Sequence, residues 1–133
     1  MMPPPSVTRE DSSDLAFATD CMLNGVVTYA EFRYWVYCVA DEMTDETFPS
    51  YLSDILDMKE QRDFGWNDLG FLPRWNPTAG EADAVIGLGY KRSPDYRSDH
   101  ASRSDALAAL AQNPHIEGRL HKMFPFLEAV PVY

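Results

Sequence analysis

The stretch Leu23-Asn24-Gly25-Val26-Val27-Thr28-Tyr29-Ala30-Glu31-Phe32 is a helix stop followed at once by a helix start. Asn24-Gly25 ends the preceding segment, because glycine tolerates the left-handed conformation a helix needs just past its last turn. Thr28 and Glu31 then form an S/T-x-x-E capping box, in which each side chain satisfies a backbone N–H at a helix start. Working back from the stop, a first helix is predicted from Ser13 to Leu23, with Leu15, Phe17, Ala18, Cys21 and Met22 inward. Working forward, a second helix carries Phe32, Trp35, Val36 and Val39 at helical spacing, with Tyr29 and Tyr34 partly exposed.

The same periodicity recurs along the rest of the chain. Pro49 suits the first position of a third helix, in which Tyr51, Leu52, Ile55, Leu56 and Lys59 follow at helical spacing toward Phe64. Gly65 to Leu72 reads as a short helix or turn and Arg74 to Gly80 as a loop. Glu81 to Gly89 reads as helical, although Gly87 and Gly89 each lower helix propensity by about 1 kcal/mol. Ser93 to His100 is a polar loop, and Ser102 to Gln112 an alanine-rich helix opened by Ser102 and Asp105. Asn113-Pro114 is expected to cap a last helix reaching about Phe124, and the apolar tail Phe126 to Tyr133 to dock on the body. With no alternating strand pattern and no internal repeat, the expectation is all-α: a single compact domain of about six to seven short helices over residues 11–133, behind a flexible lead-in at 1–10.

Bulk composition narrows the function classes. Hydrophobic residues are 45% and aromatics 13% of 133 residues, enough for one domain with a core despite a net charge of -10. The opening Met1-Met2-Pro3-Pro4-Pro5-Ser6 has neither the basic nor the apolar region of a signal peptide, and no apolar run suits a membrane span. A cytoplasmic location is expected, with Cys21 and Cys38 reduced and buried. The charge is uneven. Residues 41–68 carry nine acids against two bases, a net of -7, whereas residues 69–133 carry seven of each. Such a field repels nucleic acid and anionic membranes and attracts basic partners.

Motifs for chemistry are thin. Asp20, Asn24, Thr28 and Glu31 match part of an EF-hand loop, but Met22 falls where a second oxygen ligand belongs, and a thioether does not bind a hard cation. The helix stop and the capping box generate that pattern by themselves. His115 and His121 lack the spacing of a shared helical face, and no Cys-x-x-Cys or His-Glu-x-x-His occurs, so no metal is expected. Ser98-Asp99-His100 holds triad residue types by sequence only. Gly87-Leu88-Gly89 lacks a third glycine and a preceding strand. The expectation is a protein without catalytic residues or a cofactor.

The corner continues as Phe32-Arg33-Tyr34-Trp35 and is followed by Pro49-Ser50-Tyr51-Leu52. Over roughly residues 15–75 it resembles the immunity proteins of contact-dependent growth inhibition and related bacterial polymorphic toxin systems, in an N-G-x-[IV]-T-x-x-E-F-x-x-W corner before an acidic, proline-opened helix. The resemblance implies a protein that binds and neutralises one cognate toxin domain, often a nuclease, as a monomer in a one-to-one complex. Members of such families differ in their contact residues, so none carries over. A nuclease presents a basic groove, and the acidic segment is suited to it. The expected partner surface is Asp41, Glu42, Asp45, Glu46, Asp54, Asp57 and Asp63, with Trp66 or Trp75 as aromatic anchor. Two alternatives share the composition: a degenerate EF-hand-like binding module, and an acidic inhibitor or adaptor that mimics nucleic acid.

Overall fold

The computed structural model describes residues 12–42 and 74–129. Among them are five α-helices: α1 (Ser13–Leu23), α2 (Tyr29–Glu42), α3 (Ala79–Arg92), α4 (Arg103–Gln112) and α5 (Pro114–Met123), followed by a 3₁₀ turn, Pro125–Ala129. The described residues are helical and contain no strand. The two helical segments expected at 49–64 and 65–72 lie outside the described residues, as does the expected lead-in at 1–10. No helix among the described residues is long and apolar enough to cross a membrane.

Two compact units divide the chain: Met1–Thr19 with Thr28–Trp75, and Asp20–Val27 with Asn76–Tyr133. In the first, Leu15, Ala16, Phe17, Ala18 and Thr19 are all buried. Five buried positions in succession go all the way round a helix, which marks it as a core element rather than an amphipathic surface one. The Thr19 hydroxyl, buried there, donates to the Ala16 carbonyl at 3.0 Å. On α2 the buried stripe is Phe32, Trp35, Val36 and Val39, as the periodicity predicts. Tyr29, Phe32 and Trp35 form a ladder with successive ring centroids 6.1 Å apart. The capping box is made in full: Glu31 N–H donates to Thr28 Oγ1 at 3.1 Å, and Thr28 N–H to Glu31 Oε1 at 2.8 Å.

The second unit begins with the helix stop. Val26 N–H bonds the Cys21 carbonyl at 2.8 Å and Gly25 N–H the Met22 carbonyl at 3.1 Å, with Gly25 at φ 75°. These are the two bonds of a Schellman motif, and Cys21 and Val26, the positions that carry its apolar pair, are both buried. Helix α3 starts earlier and ends later than the expected Glu81–Gly89. A capping box between Thr78 and Glu81 opens it, and the helix continues to Arg92. The two glycines are a packing requirement: a Cβ on Gly87 would stand 2.4 Å from the Ala106 carbonyl oxygen, and one on Gly89 2.4 Å from the Tyr96 ring. Their absent side chains let α4 and the following loop close on α3.

Asn113 departs from its expected role. Its amide makes no cap bond to α5; it donates back to the Ala109 carbonyl at 2.9 Å and so closes α4. Pro114 opens α5 without it, since proline at the first position leaves no N–H to satisfy. Ser102 caps α4, accepting the Asp105 N–H at 3.2 Å. From the tail, Leu127 is buried and Phe126 half-buried beside Phe124, with ring centroids 5.8 Å apart.

Candidate functional site

Of the nine residues expected to meet a partner, Asp45, Glu46, Asp54, Asp57, Asp63 and Trp66 lie outside the described residues. Asp41 is exposed in the last turn of α2, and Glu42 is that helix's final residue. Trp75 is half-buried, its ring edge-on to the buried Phe17 at 5.2 Å and 84°. The neighbouring Arg74 N–H donates to Ser12 Oγ at 3.0 Å, so this segment is tied to the start of α1.

Next to Asp41 stands an aromatic pair of which the sequence reading had Tyr34 as partly exposed but not Tyr37, and neither as a binding residue. Tyr34 and Tyr37 are 51% and 58% exposed and stack with centroids 6.2 Å apart. At i, i+3 and i+7, Tyr34, Tyr37 and Asp41 fall on one face of α2, opposite the stripe of Phe32, Trp35, Val36 and Val39. The signal was available, because these positions are what remains of α2 once the buried stripe is removed. Large exposed rings carry apolar area and a hydroxyl to the surface, the chemistry enriched where proteins bind one another.

The residues with catalytic potential have local occupations. Glu31 accepts the Thr28 N–H, while the Asn24 amide donates to the Asp20 carbonyl at 2.8 Å and Met22 is buried. The Cys21 thiol is fully buried, and burial, with Asp20 adding to it, pushes it far above the ordinary thiol range. Cys38 is half-buried, which corrects the expectation that both thiols are fully enclosed. His100 is exposed, and its backbone N–H bonds Ser98 Oγ at 3.1 Å. His115 stands 2.7 Å from Glu81 Oε2, while Glu117 lies 2.6 Å from Lys91 and 3.8 Å from His121. Among the described residues, no group of three or more His, Cys, Asp or Glu side chains is placed to hold a metal ion.

Comparison with protein-family models, curated proteins and solved structures finds no match to this chain.

Proposed function

We propose that this protein is an immunity protein that binds and neutralises a cognate toxin domain through an acidic surface, without catalysis of its own. The observation that carries the reading is the concentration of charge: nine acids against two bases over residues 41–68, in a chain whose last 65 residues are neutral. A toxin that acts on nucleic acid must attract polyphosphate, and the groove that does so attracts this segment for the same reason. Long-range attraction between such surfaces raises association rates by roughly 10–10³-fold. The exposed Tyr34 and Tyr37, two turns and one turn before Asp41, supply the apolar contact that charge alone lacks. The corner motif adds the family resemblance, although Gly25, Thr28, Glu31, Phe32 and Trp35 all have structural work within it.

The test is co-expression with a toxin domain encoded beside this gene. A stable one-to-one complex and restored growth are the expected result. Purification of the two proteins separately, with no rescue, would overturn the proposal.

A further inference from the structure

Protein interiors pack with few voids larger than a water molecule. Three leucines from three elements of the second unit, Leu88 on α3, Leu120 on α5 and Leu127 in the 3₁₀ turn, nevertheless line a cavity of about 310 Å³. That lies within the range of small-ligand sites, roughly 300–1,000 Å³. All three leucines are buried, so the floor is apolar.

The rim carries Lys91, Arg92, Glu117 and His121, and each of them already has a partner in the protein. Lys91 on α3 pairs with Glu117 on α5 at 2.6 Å, and His121 lies 3.8 Å from the same Glu117 oxygen. The Arg92 guanidinium donates to the Val26 carbonyl. A charged ligand would have to compete for groups that are engaged, and its own charge would leave water without gaining a partner, which is costly. An uncharged ligand loses nothing at the rim and gains by burying apolar surface on the leucines.

Size narrows the class further. An apolar cavity of about 150 Å³ lined by aliphatic and aromatic side chains takes up benzene. Roughly twice that volume suits an uncharged molecule of about ten carbon atoms. We infer that this cavity binds a small uncharged hydrophobic molecule of that size between Leu88, Leu120 and Leu127. The site belongs to the second unit alone and does not depend on the acidic segment or on a toxin partner.

The test uses the full chain with ¹³C-labelled leucine methyls, titrated with butylbenzene, 3-phenylpropionate and 3-phenylpropylammonium. The last two match butylbenzene closely in size and place a negative or a positive charge at the end of its chain. Butylbenzene is expected to give saturable ring-current shifts centred on Leu88, Leu120 and Leu127. Each charged analogue should bind at least about ten-fold more weakly. Leu127→Trp should fill the chamber and abolish the shifts; if that variant does not fold, the comparison of the three probes on the unmodified chain decides. No saturable shift at these leucines would show that the chain itself fills or closes the cavity, and would overturn the inference. Binding of either charged analogue as tightly as butylbenzene would overturn it too.

Discussion

The hydroxyl of Tyr96 donates to the carbonyl of Asn24 at 2.6 Å, joining the loop after α3 to the turn that ends α1 across 72 positions of sequence. The ring requires glycine at 89, where a Cβ would stand 2.4 Å from it, whereas a Cβ at Gly25 would meet it at an ordinary 3.6 Å and the φ of 75° is what calls for glycine there. Tyr90 meets it edge-on at 4.9 Å and in turn holds the loop, accepting the Ser98 N–H at 3.2 Å and donating to the Ala101 carbonyl at 3.0 Å. The Arg92 guanidinium donates to the Val26 carbonyl, a second tie on the same turn.

Removing the Tyr96 hydroxyl tests this tie directly. Tyr96→Phe keeps the ring between its glycines and loses the bond, so urea unfolding should show a loss of about 1 kcal/mol. Partial burial holds the phenol above its ordinary value, with the Ser98 hydrogen bond offsetting part of the effect. A raised acid favours the protonated folded state. Its stabilisation is therefore complete below the unfolded phenol's value, about pH 10, and is lost as pH rises through the folded one. Tyr96→Phe should remove that share of the alkaline loss of stability.

The glycines of α3 and α5 should respond to alanine with opposite signs. Gly87→Ala would press a methyl into the Ala106 carbonyl, a backbone atom that moves only if α4 moves. Gly89→Ala would press one into a ring whose far end is already bonded. Both should lose about 1–3 kcal/mol despite better helix propensity. A Cβ on Gly118 would meet nothing within 4 Å beyond its own helix backbone, so Gly118→Ala on α5 should gain roughly 0.4–1 kcal/mol. Thermal unfolding of the three variants gives the comparison.

These glycines show where the sequence was readable and where it was not. The corner from Leu23 to Phe32 depends on residues within four or five positions of one another, and its stop, its capping box and the α2 stripe all formed as read. Gly87 and Gly89 look like helix weakness in isolation, because their partners Ala106 and Tyr96 are set by packing at longer range. Thr78 was missed as a cap since proline and glycine around it made residues 74–80 look like loop, and local polarity hid a Thr-x-x-Glu signal as clear as the one at Thr28. Of the two exposed tyrosines of α2, Tyr34 was legible as partly exposed and Tyr37 was not, because aromatic residues are read first as core. The charge block was legible from composition alone, but composition says nothing of which acids share a face.

The start of α3 should be pH-sensitive through Glu81. Its Oε1 accepts the Thr78 N–H at 3.0 Å and its Oε2 lies 2.7 Å from His115. The Thr78 backbone bond chiefly, and then the bond to His115, hold this carboxyl below the usual glutamate range. A depressed acid stabilises the fold above the unfolded value, about pH 4.3, and that contribution disappears as pH falls through the folded value. The Glu81 carboxyl ¹³C shift should titrate below those of exposed glutamates. Glu81→Gln, which can still accept the cap bond, should flatten the local pH dependence, whereas Thr78→Ala should cost about 1 kcal/mol at neutral pH.

The binding reading makes separable predictions for Tyr34, Tyr37 and Asp41, because rings and charges act on different rate constants. Tyr34 and Tyr37 are exposed, so alanine at either position should change stability by no more than about 0.5 kcal/mol. If the stacked pair is buried against a toxin domain, the double alanine variant should speed dissociation, with a loss of about 2 kcal/mol or more in binding. Asp41→Lys should act mainly on association. The slowing should be largest at low salt and fade once the Debye length falls to about 8 Å at physiological ionic strength. Both constants come from one surface-binding series over two salt concentrations. Unchanged dissociation in the tyrosine variant would remove α2 from the interface while leaving the acidic segment in it. Unchanged association for Asp41→Lys at low salt would instead show that steering, if present, comes from acids further along the chain.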